Sequence, residues 1–158
     1  MTAISIIENN AIASAAPPEV LAARLGAEEY GIDILAVQEI RRYEAPTRIA
    51  NAARHLLGVM NLRGVIVPIV DLRHRLGLPA GYDVNTVTVV VNVAGRTVGL
   101  VVDSVSDVVA LQPEQVRPRP GLGGQADIDF IVGIATLEGA EGPRLLLLLD
   151  IPALLRDF

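Results

Sequence analysis

Catalysis and metal binding need particular side chains in clusters, and this chain offers few of them. It has two histidines and no cysteine. His55 sits in Ala-Ala-Arg-His-Leu-Leu and His74 in Leu-Arg-His-Arg-Leu. Neither has a second histidine or a carboxylate at ligand spacing, so no zinc motif forms. Asp127 and Asp129 are close together, but a calcium loop needs about six or more oxygens in a set order. The Gly121-Leu-Gly-Gly stretch follows Pro118 and Pro120 and does not lead from a strand into a helix. A phosphate-cradling loop would, so this one reads as a flexible connection. Ser104 and Ser106 alternate with valines, without the Gly-x-Ser-x-Gly turn that exposes a nucleophile. Asp33, Asp103 and Asp107 lie in strand candidates where alternation turns polar residues outward, which favours solvated carboxylates over an acid–base pair. Asp71 and Asp150 each precede a short apolar helix candidate and read as caps, worth about 1 kcal/mol each. The expectation is a protein without catalytic residues, metal site or cofactor.

Other functions are narrowed by composition. The chain has 158 residues with a formal charge of −5, which disfavours a nucleic-acid partner, since that requires a dense basic footprint. Its longest aliphatic runs, such as Leu145 to Leu149, fall far short of the roughly 20 residues of a membrane helix. The N-terminus lacks the basic start and apolar run of a secretory signal, so a cytoplasmic location without membrane insertion is expected. Apolar residues make up 51% but aromatics only 3%. The core must therefore be built from Val, Ile and Leu, which favours strands.

The elements follow from that pattern. Residues 1–18 read as a flexible leader closed by Pro17-Pro18. Val20 to Leu25 and Tyr30 to Ile34 form a hairpin around Gly26, and Val37 to Arg42 adds a strand ended by Pro46. Asn51 to Leu57 reads as a short helix capped by Asn51. Strands Gly58 to Leu62 and Val65 to Val70 join at Arg63-Gly64, and a helix from Leu72 to Leu76 stops at Gly77. Pro68 lacks a ladder donor, so its strand is expected at an edge or bulge, where a partner's strand could dock. Thr88 to Val93 and Arg96 to Val102 form another hairpin.

Much of this order repeats. Gly31 to Ile40 lies over Gly99 to Val108 at an offset of 68, Gly58 to Leu62 over Gly133 to Leu137 at 75, and Val65 to Asp71 over Arg144 to Asp150 at 79. Loop insertions produce such growing offsets. The chain is thus expected to be mainly β, with a first lobe over 19–82 and a second over 83–158 ending in a short helix. Neither lobe has enough strands to be stable alone, so a groove between the two is the expected docking place.

Tyr30-Gly-Ile-Asp-Ile-Leu-Ala-Val-Gln-Glu-Ile, Thr47-Arg-Ile-Ala-Asn and Gly58-Val-Met-Asn-Leu-Arg-Gly-Val-Ile-Val-Pro-Ile-Val-Asp-Leu-Arg resemble the CheW family of chemotaxis coupling proteins, and Val98 to Val108 and Glu114-Gln-Val-Arg-Pro extend the match over roughly residues 19–156. The resemblance implies two SH3-like five-stranded β-barrel lobes packed together, with short helices. It also implies a non-catalytic, cofactor-free scaffold bridging chemoreceptor cytoplasmic tips to the regulatory domain of the histidine kinase CheA. Other CheW-like domains in array rings are further implied partners. A coupling protein of a parallel pathway, for pili or surface motility, would look the same. A small-molecule-binding or hydrolytic β-barrel would instead need convergent polar groups that this chain does not supply. The sequence stops soon after its last helix candidate, so the expectation is a coupling protein of the kind without a receiver domain.

The family's contact segments fall here on Val37, Glu39 and Arg63, with Val105 and Val108 at the corresponding place in the second copy. Alternation puts Val37 and Glu39 on one face, and Glu39 and Arg63 are expected to pair. Val105 and Val108 fit ordinary core valines equally well. Gly58, Gly64, Gly99 and Gly133 are expected to be structural, permitting turns or close strand approach. The first strand, with Ala22 and Ala23 and no aromatic residue, reads as a weak edge.

Overall fold

The computed structural model describes residues 16–52, 56–79, 81–118 and 130–156. Most of the expected leader, His55, and the Gly121 and Asp127 stretches lie outside them. The β-branched runs form strands in the order β1 (Glu19–Leu25), β2 (Glu28–Asp33), β3 (Val37–Arg42), β4 (Leu56–Leu62), β5 (Val65–Asp71), β6 (Val87–Val93), β7 (Arg96–Val102), β8 (Ser104–Ala110), β9 (Val116–Arg117), β10 (Ile131–Gly139) and β11 (Gly142–Leu149). One-turn helices α1 (Leu72–Arg75) and α2 (Ile151–Leu154) follow β5 and β11. Asp71 Oδ1 accepts from the Arg73 N–H at 3.0 Å and Asp150 Oδ1 from the Ala153 N–H at 3.1 Å, so both aspartates are the caps expected.

The strands form two sheets, β3-β6-β7-β5-β4 and β8-β1-β2-β11-β10-β9. Correspondingly there are two compact units. Of the described residues, unit A comprises those within 23–27 and 35–105, and unit B those within 16–22, 28–34 and 106–156. Unit A packs Leu62, Val67, Ile69, Val90 and Val101. Unit B packs Val20, Ala22, Leu111, Val116, Ala135, Leu137, Leu146 and Leu148.

The repeat is written into the pairing. In unit A, β5 runs parallel to β7 with Ile69 opposite Gly99. In unit B, β11 runs parallel to β2 with Leu148 opposite Gly31. These pairs are related by the offsets of 79 and 68 seen in the sequence. The glycines matter because a Cβ on Gly99 would lie 2.6 Å from Ile69 Cδ1, and one on Gly31 2.9 Å from Leu148 Cδ2. β10 and β11 take the places of β4 and β5, while β1 and β2 take those of β6 and β7.

The copies are interleaved rather than consecutive. β1 and β2 join the sheet of β10 and β11, whereas β3, β4 and β5 join that of β6 and β7. Residues 19–82 and 83–158 are therefore each shared between both sheets. Three local expectations also give way. Leu56 and Leu57 begin β4, and Asn51 has φ 61° rather than the extended backbone of an N-cap, so neither described end of the expected 51–57 helix is helical. β1 lies inside its sheet, with Ala22 and Ala23 fully buried. β5 is also internal. Val59 directs its N–H and C=O to Thr47, at 2.8 and 2.9 Å. Its pairing with Pro68 is thus of the non-hydrogen-bonded kind. The missing donor of Pro68 faces β7, whose pairing begins only at Ile69.

Candidate docking site

The first candidate residues lie on the outer strand of unit A. Burial along β3 alternates, with Val37, Glu39 and Arg41 half-buried and the residues between them exposed. The ladder slips at Gln38, so Val37 faces Val91 and Glu39 faces Val90. Those neighbours on β6 point to opposite faces, so a bulge at Gln38 disturbs the ladder locally, while Val37 and Glu39 stay alike in burial. The β4–β5 turn carries Arg63 and Gly64 at φ 52° and 88°, the left-handed pair that a two-residue hairpin turn requires. Asn61 Oδ1 accepts from the Gly64 N–H at 2.8 Å and fixes the turn.

That turn aims Arg63 at Glu39. Its Nη1 and Nη2 donate to Oε2 and Oε1, both at 3.3 Å, and Arg41 stands 3.7 Å from the same carboxylate. β3 and β4 are the outermost strands of their sheet, so this bidentate contact means that the sheet curls back on itself. The Arg63 side chain is 68% exposed. In water such a pair contributes about 0–1 kcal/mol, and the guanidinium keeps a free face. Val65 and Ile66 beside it are also exposed.

Val105 is half-buried near the start of β8 in unit A, and Val108 in unit B is 49% exposed. Val108 is thus no core valine. It lines a groove of about 1290 Å³ in unit B, together with Leu137, Pro143, Arg117, Asp107 and Arg144. Arg144 donates to Glu29 Oε2 and Asp107 Oδ1, each at 2.7 Å. The Ser106 hydroxyl donates to Asp107 Oδ1 at 2.7 Å. The bond from Arg144, then that from Ser106, holds the Asp107 carboxyl below its usual range. Its bonds to Asp107, and next to Glu29, raise the Arg144 guanidinium. Asp107 is the repeat counterpart of Glu39, so both units set an arginine on the same acidic position.

Of the structural glycines, Gly58 and Gly133 explain themselves best. A Cβ on Gly58 would lie 2.1 Å from the Thr47 carbonyl oxygen, and one on Gly133 2.9 Å from that of Arg117. In each unit the strand carrying this glycine touches a second chain segment at that point.

A cluster missed in the sequence lies beneath the unit A surface. The Arg73 side chain is 1% exposed. Its Nε and Nη2 donate to Asp71 Oδ1 and Oδ2 at 3.0 and 3.1 Å, and its Nη1 to Asp103 Oδ1 at 3.0 Å and to the Gly81 carbonyl. It also lies 4.9 Å from the Tyr82 ring centroid, and Tyr82 stacks on Tyr43 at 4.4 Å. Burial pulls the guanidinium toward neutrality, but Asp71 and Asp103 outweigh it, and its pKa stands above the ordinary arginine value. Partial burial, followed by the Asp71 carboxylate and Tyr43, pushes the Tyr82 phenol up to about 12. Asp103 is therefore no solvated carboxylate, since its Oδ2 also accepts from the Gly26 N–H at 2.8 Å. A signal was present in Asp71-Leu-Arg, whose counterpart is Asp150-Ile-Pro. Among the described residues no group of three or more His, Cys, Asp or Glu could hold a metal ion. No helix among them is long and apolar enough to cross a membrane.

The pattern of the CheW-like domain matches residues 19–158. The chain belongs to the CheW-like domain family. It is 51% identical over 138 residues to the chemotaxis protein CheW of Klebsiella aerogenes, covering 87% of this chain and 81% of that one. It is 38% identical over 122 residues to CheW of Rhizobium meliloti, covering 77% and 79%. The crystal structure of the scaffolding protein TtCheW from Thermoanaerobacter tengcongensis superposes with a TM-score of 0.76 at 27% identity, over 87% of each chain. Two sheets with few short helices are thus the arrangement of a CheW scaffold.

Proposed function

We propose that the chain is a non-catalytic chemotaxis adaptor that couples the cytoplasmic tips of chemoreceptors to the regulatory domain of the histidine kinase CheA. It acts in the cytoplasm within membrane-associated receptor arrays, where other CheW-like domains are further partners in rings. The proposed partner contacts are Val37, Glu39, Arg63 and Val105 in unit A and Val108 in unit B. The observation that carries this reading is the bidentate Glu39–Arg63 pair at 3.3 Å, held on the surface by a strained turn. A pair so exposed adds little to stability. It can, however, fix the direction of a cation beside exposed Val65 and Ile66. Membership of the CheW-like family, with relatives named for chemotaxis, supports the same reading. A pull-down against a receptor tip and the CheA regulatory domain tests it. Wild type should bind both, and Arg63→Glu should lose the receptor tip and kinase coupling with its melting temperature nearly unchanged. Binding of neither partner by the wild type overturns the proposal, and loss of the fold in Arg63→Glu overturns the role given to Arg63.

A further inference from the structure

The buried Arg73 cluster asks for an explanation that the fold does not supply. A buried ion pair must offset the desolvation of two charges, and packed apolar side chains of similar volume often do as well or better. The molecule contains that comparison. Unit B repeats β5 and α1 as β11 and α2 and keeps the capping aspartate as Asp150, yet has Pro152 where unit A has Arg73, and the repeat counterpart of Asp103 is the apolar Leu35. The same module forms there without the cluster.

What the cluster does instead follows from its connections. Arg73 reaches Asp103, the residue between β7 and β8, two positions before Val105. Asp103 holds the β1–β2 turn through the Gly26 N–H, and its own N–H donates to the Arg24 carbonyl at 3.0 Å. On the other side Arg73 covers Tyr82, which stacks on Tyr43, one residue after β3 ends. The Tyr43 N–H in turn donates to Thr86 at 3.1 Å. One guanidinium thus ties together the end of the strand bearing Val37 and Glu39 and the start of the strand bearing Val105. We propose that Arg73 is a positioning residue, whose bonds to Asp71 and Asp103 set the relative placement of β3 and the β7–β8 junction within unit A and so the geometry of the docking face. This rests on the docking reading above.

Arg73→Met alone would strand a buried Asp71 charge and could unfold the protein. The informative variant is Arg73→Met/Asp71→Asn/Asp103→Asn, because asparagine keeps both the helix cap and an acceptor for Gly26. In the free protein the amides of Gly26 and Tyr43 should exchange about tenfold faster or more, while Leu146 and Leu148 in unit B keep their protection. Affinity for a receptor tip should fall by about tenfold at a temperature where the variant is fully folded. Unchanged exchange at Gly26 and Tyr43 overturns the proposal, whether or not any partner binds. So does receptor-tip affinity equal to that of wild type with accelerated exchange. If wild type itself fails to bind the tip, the docking reading falls, and exchange alone decides whether Arg73 positions these strands.

Discussion

Unit A and unit B are two solutions to the same module, and their differences separate what the fold needs from what it carries. Both have the parallel pair closed over a glycine, Ile69 on Gly99 and Leu148 on Gly31. Both have the capping aspartate and a glycine pressed against a neighbouring carbonyl. These shared features answer to backbone geometry. Among the described residues, the buried Arg73 cluster, the tyrosine stack and the left-handed arginine turn occur in unit A alone. What is shared holds the sheet, and what is unshared is what we propose shapes a docking surface.

The largest effect should come from breaking the unshared core. Arg73→Met alone leaves the buried Asp71 carboxylate without its guanidinium partner and should cost about 3–5 kcal/mol, measured by urea unfolding, whereas Pro152→Ala at the counterpart should cost under about 1 kcal/mol. Equal costs would mean that the fold needs both positions alike. Next come the shared glycines. Gly58→Ala sets a Cβ 2.1 Å from a backbone oxygen against 2.9 Å for Gly133→Ala, so the former should cost about 3 kcal/mol and the latter about 1–2. The reverse order would show that unit A yields more readily.

A third comparison runs the other way. Thr88 is buried with an Oγ1 that has no hydrogen-bond partner, and its counterpart in unit B is Val20, fully buried. Thr88→Val should stabilise the protein by about 1 kcal/mol, raising the melting temperature by about 2–4 °C. A lower melting temperature would show that the hydroxyl is used.

The smallest effect is a titration. Tyr82, raised to about 12, should ionise well above the roughly 10 of an unfolded tyrosine. The stability this adds is fully present below about pH 10 and is lost as pH rises toward about 12. Absorbance at the phenolate band should show a late-titrating component in wild type that is lost in Tyr82→Phe.

The strand hairpins, both caps and the repeat offsets were legible because each depends on neighbours in sequence. Arg63-Gly64 and Ala94-Gly95 are local turn signals, and the structure gives all four residues positive φ. The interleaving was not legible, since β2 pairs with β11 across most of the chain and no local pattern records such a partner. Pro68 misled because its strand is internal yet unpaired on the side where the donor is missing. Arg73 was hidden because a one-turn helix is too short for periodicity to show its buried face. Of the candidate site, the Glu39–Arg63 pairing was readable and its geometry is present. The bulge at Gln38 and the exposure of Val108 were not.

The most direct test of the account is the charge swap Glu39→Arg/Arg63→Glu, measured by calorimetric titration with a receptor tip beside a melting curve. The swap restores an ion pair inside the chain but presents the opposite charge to a partner. The account predicts a melting temperature close to that of wild type and no recovery of binding relative to Arg63→Glu. Recovery of wild-type affinity would show that the pair only clasps the sheet, and that the partner is held elsewhere.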